Sequence, residues 1–174
     1  VDRRRIVLLV AIAVVTATTG LIRFSGLNPD SLWYDDLAWA TLTRAPNISA
    51  MLRAPTNAPP GFLMLLRVSR SVFVDPEWSM QLPAYLSGLA AIPVMALLAR
   101  RLTGSDGLAI VAAALTALNP LLAHYSLYVK QYSLDFLATA TILLATVSVL
   151  DRQDIRPRDL GGLLLLSAFA LLFS

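Results

Sequence analysis

Long uncharged runs, separated by short charged or aromatic segments, dominate this chain. Ile6 to Ile22 carries no charge, and neither do Leu82 to Ala99 and Gly107 to Ala123. Phe136 to Leu150 continues apolar beyond Asp135, and Leu160 to Ser174 is apolar throughout. A helix needs about 20 mostly apolar residues, within a range of about 17–25, to cross the hydrocarbon of a bilayer. The pattern predicts membrane helices over 6–22, 82–99, 107–122, 134–150 and 160–174. Pro60 to Val74 reads differently. It is short, and it carries Arg67 and Arg70 on one helical face with Phe62, Leu65, Leu66 and Phe73 largely opposite. That periodicity predicts an amphipathic juxtamembrane helix within a long loop over 23–80.

Composition supports an all-α integral membrane protein. Hydrophobic residues make up 57% of the 174 residues and charged ones only 14%, and the mean hydropathy is +0.68. Ordinary soluble domains are far more polar. Arginines favour the cytoplasmic ends of membrane helices. Arg3, Arg4 and Arg5 thus place the N-terminal side inside, as do the Arg100-Arg101 pair and the group Arg152, Arg156 and Arg158. With five spans, this puts the 23–80 loop and the segment Asn119 to Asp135 together on the external face. The first span reads as a retained signal-anchor, since no small-residue cleavage site precedes Arg23. A run still apolar at the last residue predicts a longer parent chain.

The chain has no cysteine, which excludes disulfides and thiolate metal sites, and a single histidine, His124, argues against zinc. The formal charge of +3 is spread over helix ends and calls for no nucleic-acid partner.

The two external segments carry the candidate chemistry. The first holds Trp33, Asp35, Asp36, Trp39, Arg44, Arg53 and the Asn57–Gly61 turn; the second holds His124, Tyr125, Tyr128, Lys130, Gln131, Tyr132 and Asp135. On a helix, Tyr125, Tyr128, Tyr132 and Asp135 would form one stripe. Each residue also has an ordinary role: aromatic anchors at the interface, acids capping a helix, a lysine that snorkels. Asp135 is the least ordinary, because an acid at the edge of a span is costly. Taken together, carboxylates and aromatic faces suit a sugar, a nearby Lys or Arg suits a phosphate, and the membrane frame suits a lipid carrier. Lipid, phosphate and sugar in one site describe a polyprenyl-phosphate sugar.

"SLWYDDLAWA" resembles the W-x-D-E-a element in the first external loop of the GT-C membrane glycosyltransferases, nearest the protein O-mannosyltransferase and aminoarabinose-transferase branch. Three further elements are similar and occur in the same order. "NAPPGFLMLLRVSRSVF" resembles the paired-proline helix of that branch, "WSMQLPAYLSGLAAIPVMALLARRLTG" its R-x-P-s-x-x-x-G segment, and "LNPLLAHYSLYVKQYSLDFLA" its Y-S-x-x-x-R-x-Y-s-L element. The resemblance implies a GT-C helical bundle and inverting transfer from a polyprenyl-phosphate sugar to a glycan, lipid or protein acceptor. It implies that Asp35 is the general base, with Asp36 beside it, and that Lys130, at the arginine position, meets the lipid phosphate. Tyr128, Tyr132, Asp135, Arg53 and Asn57 are the further candidates for binding donor phosphate or sugar. Asp36 stands where relatives carry Glu, Ala58 where they carry His or Lys, and Gln81 where they carry Arg.

No cofactor is required by this reading, although Asp35 and Asp135 could hold Mg²⁺ or Mn²⁺ through oxygen ligands. The expected location is a bacterial plasma membrane, multi-pass among membrane lipids, with the site facing the periplasm or exterior. A transporter or flippase component, or an inactive accessory subunit of the same fold, is the alternative; the acids at span ends and the lack of an internal repeat disfavour the transporter. The resemblance does not choose between mannose, arabinose, aminoarabinose and another pentose as the sugar.

Overall fold

The computed structural model describes residues 3–27, 32, 34–73 and 76–173, leaving aside the side chains of Asp35, Pro76 and Glu77. Every regular element among the described residues is a helix, in the order α1 (Arg3–Phe24), α2 (Tyr34–Leu42), α3 (Ile48–Arg53), α4 (Pro60–Val72), α5 (Pro76–Thr103), α6 (Asp106–Leu118), α7 (Pro120–Tyr125), α8 (Tyr132–Leu150) and α9 (Pro157–Leu171). Three are long and apolar enough to cross a membrane: α1 with 22 residues, Trp78–Thr103 of α5 with 26, and α8 with 19. The protein is an all-α, multi-pass membrane protein.

Helix α5 is the central element. It packs against α1, α4, α6 and α8. Small residues make this possible: Ala91, Ala96, Ala109 and Ala113 are fully buried, and Leu8, Ile12 and Ile92 fill the spaces between them to join α1, α5 and α6. Close backbone approach raises dispersion contact where lipid leaves little hydrophobic drive between helices. Much of α8 and α9 instead presents Leu143, Leu164, Leu165 and Phe169 outward, as a lipid-facing surface does.

Proline explains how α4 is fastened to α5. Pro83 has no N–H, so the carbonyl of Ser79, four residues earlier, lacks its intrahelical donor. The buried hydroxyl of Ser69 on α4 donates to that carbonyl at 2.5 Å. Of the expected apolar face, Phe62 and Leu66 are buried, whereas Leu65 is half-buried and Phe73, beyond the helix end, is exposed. The buried face of α4 is Phe62, Leu63, Leu66 and Ser69. Its arginines are not simply solvated, however. Arg67 donates to the Ala45 carbonyl at 2.9 Å and Arg70 to the Thr43 hydroxyl at 3.3 Å, both in the α2–α3 connection. Burial, with Arg44 nearby, lowers the Arg70 pKa from its ordinary value.

The segment 107–122 is divided. α6 ends at Leu118, Asn119 adopts φ −63° and ψ 118°, and its side chain accepts from the N–H groups of Leu121 and Leu122 to start α7. A residue before proline is driven out of the helical region, and Asn is a strong cap. The chain breaks again between Ser126 and Gln131, so the tyrosine stripe lies on two helices and a turn, not on one helix.

Helix directions alternate. The ends of α1 and α6, the start of α8 and the end of α9 gather at one end with α2, α3, α4 and α7. Gly61, in the first turn of α4, donates to the Leu172 carbonyl just beyond α9. A Cβ there would stand 2.6 Å from that oxygen, so only glycine permits the approach. Arg3, Arg4, Arg5, Arg100, Arg101 and Arg152 gather at the opposite end.

Candidate active site

Helix α2 has a buried stripe made by Asp36, Trp39 and Ala40, continued by Thr43 just beyond its end. Asp36 lies in the first turn, where the helix dipole favours an anion. It is only 3% exposed. Asp35 belongs to the same turn, and its side chain lies outside the described residues, as does Trp33 altogether.

Trp39 is the junction of the two polar segments. Its ring meets Phe62 of α4 edge-on at 5.7 Å between centroids. The Lys130 ammonium, from the turn before α8, stands 4.4 Å from the centre of the same ring. That distance is within cation–π range. Beneath the pair, Met51, Met80 and the fully buried Val129 complete one apolar cluster with Trp39 and Phe62. Lys130 is thus held by burial of its neighbour Val129 and by the indole it covers.

A second aromatic group adjoins in sequence. His124 packs on Tyr128 at 4.4 Å and on Tyr125 at 5.2 Å, while Tyr125 meets Tyr132 edge-on at 4.8 Å across the turn. Tyr132 is exposed and Tyr128 half-buried. Asp135 is half-buried in the first turn of α8, its N–H bonded to the Gln131 carbonyl at 2.9 Å. Beside these, Gln131 Oε1 and Ser133 Oγ are buried without a hydrogen-bond partner among the described residues. Buried polar atoms in that state are costly. Arg53 and Asn57 are exposed, and their side chains form no ion pair or hydrogen bond with another described residue. No group of three or more His, Cys, Asp or Glu side chains converges among the described residues.

One important residue was treated in the sequence only as the end of a span. Arg23 is 5% exposed. It donates to the Ala117 carbonyl at 2.9 Å and the Ser126 hydroxyl at 3.4 Å, bracing the end of α6 and the turn that leads to Lys130. Ala117 is in the last turn of α6, where the dipole favours a cation. Gly88 of α5 leaves the room, since a Cβ would come 2.7 Å from Ser126 Cβ and 3.2 Å from Arg23 Nη1. Tyr85 supports the other side, donating to the Gly20 carbonyl at 2.8 Å. A lone arginine just after an apolar run and a Gly was the available signal.

An apolar groove of about 180 Å³ runs between α8 and α9, lined in part by Leu134, Leu137, Leu166 and Phe169. Leu134 also packs against the Trp39 cluster, so the groove adjoins that cluster.

Residues 57–174 match the family model for dolichyl-phosphate-mannose-protein mannosyltransferases. No curated protein and no solved structure matches the chain. Tyr128, Lys130, Tyr132 and Asp135 fall within the matched region, and Asp35, Asp36 and Trp39 precede it. The match covers more than half of the chain, which therefore belongs to the dolichyl-phosphate-mannose-protein mannosyltransferase family, membrane glycosyltransferases of the GT-C type.

Proposed function

We propose that this protein transfers a sugar from a polyprenyl phosphate to an acceptor hydroxyl, with inversion, at the α2–α4 end of the bundle. The observation that carries the reading is the seating of Lys130 on Trp39, which joins the two segments bearing acids and aromatic rings. Lys130 supplies a cation for the donor phosphate. The tyrosines offer ring faces and hydroxyls to the sugar, and the α8–α9 groove offers an apolar path for the isoprenoid chain.

In this mechanism, the Asp35 carboxylate removes the acceptor proton as the acceptor oxygen attacks the anomeric carbon. The bond from that carbon to the phosphate oxygen breaks, and the polyprenyl phosphate leaves as an anion that Lys130 partly neutralises. A phosphate leaving group needs little acid assistance, so one base suffices. Asp36, turned about 100° from Asp35 on the helix and buried, orients α2 instead of meeting the acceptor. Arg53 and Asn57 are assigned to the solvent side of the donor site. The site faces the exterior of a bacterial plasma membrane, opposite the arginine-rich end.

The test is transfer of labelled sugar from a polyprenyl phosphate by the membrane-embedded protein. Asp35→Asn is expected to lower the rate by about 100-fold or more while leaving insertion and thermal stability unchanged. Full activity in that variant would overturn the assignment. EDTA treatment with Mg²⁺ or Mn²⁺ added back tells a metal-assisted displacement from a metal-free one.

A further inference from the structure

We infer that the groove between α1, α5 and α8, at the arginine-rich end, binds the phosphate of an anionic phospholipid. The groove has a volume of about 590 Å³, and Arg5, Arg100 and Arg101 line its polar side. Asp151 is the carboxylate that lines it with them. The charges do not cancel. Arg100 is held from outside the groove by Asp106 at 2.7 Å, and Arg101 approaches Asp151 only to 3.6 Å, with both of those side chains about half exposed. Arg5 makes no ion pair with any described residue, and it lies in the first turn of α1, where the helix dipole adds positive potential. Ser148 spends its proton on the Leu144 carbonyl at 2.7 Å, leaving the guanidinium groups as the strong donors. Guanidinium forks match phosphate oxygens in pairs.

The other wall identifies the source of the phosphate. Leu97 and Leu144 line the same groove. A free phosphate gains nothing from leucine, whereas a lipid sets its headgroup on the arginines and its acyl chains along the apolar wall. Basic pockets between membrane helices, close to the bilayer surface, suit anionic headgroups. This inference stands apart from the catalytic proposal, because it concerns the opposite end of the bundle.

The test uses the purified, delipidated protein, its mass measured intact and its thermal stability measured with added phosphatidylglycerol, phosphatidylcholine or inorganic phosphate. Phosphatidylglycerol is expected to be retained and to raise the Tm, with phosphatidylcholine and inorganic phosphate well below it. The double variant Arg5→Gln with Arg101→Gln should lose at least about tenfold in phosphatidylglycerol affinity, as expected for two lost charge-assisted bonds. Asp151→Asn, which removes the one negative charge from the groove, should bind phosphatidylglycerol more tightly and serves if the double variant fails to fold. Equal retention of the two lipids by the native protein would overturn the inference, as would stabilisation by inorganic phosphate equal to that by phosphatidylglycerol. Weaker binding by Asp151→Asn would also overturn it.

Discussion

The two ends of this helical bundle carry similar numbers of charged groups and treat them in opposite ways. At the α1 N-terminal end, Arg100 pairs with Asp106, Arg101 with Asp151 and Arg152 with Asp159, mostly through half-exposed side chains. Such pairs contribute at most about 1 kcal/mol each. At the α2–α4 end, Asp36 and Arg23 are almost wholly buried, Lys130 lies on an indole ring, and Gln131 and Ser133 hold buried polar atoms. Burying such groups opposes folding unless each is bonded. Buried charge is thus concentrated at the α2–α4 end, although Arg44 and Arg53 there are exposed, and surface ion pairs at the other.

The largest expected effect breaks this contrast at the α2–α4 end. Asp35→Asn should remove transfer by about 100-fold or more, whereas Asp36→Asn should act mainly through stability, lowering Tm with a smaller loss of rate. Comparing the two rates in the same membranes checks this division. Next is the brace. Arg23→Met leaves the Ala117 carbonyl and the Ser126 hydroxyl without their donor, and a loss of about 1–3 kcal/mol is expected in unfolding by denaturant. Gly88→Ala should cost a similar amount, about 1–3 kcal/mol, by pressing on Ser126, and it should raise the KM for donor by shifting the turn that carries Lys130.

Smaller effects sharpen the contrast. Lys130→Ala should weaken donor binding about tenfold, seen as a higher KM with kcat less changed. Asp106→Asn, at the other end, should change stability by less than about 1 kcal/mol and leave transfer untouched. The smallest effect is one of pH. The Arg156 backbone N–H, and then the Arg152 guanidinium, hold the Asp159 carboxyl below its ordinary pKa of 3.8. A group depressed in the folded state stabilises above its unfolded pKa and loses that contribution as pH falls through the folded value. Asp159→Asn should therefore lower stability slightly at neutral pH, leave it nearly unchanged at low pH where that contribution is already lost, and so flatten the acid limb of a stability–pH curve.

The helical membrane fold was legible because lipid demands long apolar runs, and those runs are in the sequence whatever their packing. The amphipathic α4 was legible for the same reason, through its 3.6-residue period. The break at Asn119 was written in the Asn-Pro pair but hidden by the apolar residues on both sides. The turn over 126–131 was less visible still, since "SLYVKQ" carries neither glycine nor proline, and the tyrosines suggested one continuous helix. Spacing within "DDLAWATLT" already places Asp36 with Trp39, Ala40 and Thr43, so the burial of Asp36 could be read from periodicity. Arg23 could not be assigned from the sequence, because its partners are a carbonyl 94 residues away and a hydroxyl 103 residues away. Pairings of that separation exist only after the helices have packed.

Photocrosslinking tests the central claim most directly. The protein in proteoliposomes is given a polyprenyl phosphate with a photoreactive group near the phosphate, and labelled peptides are mapped by mass spectrometry. The account predicts adducts on residues 128–137 and on the end of α9, lost on competition with unlabelled polyprenyl-phosphate sugar. Adducts confined to the Arg5, Arg100 and Arg101 groove, with residues 128–137 unlabelled, would contradict it.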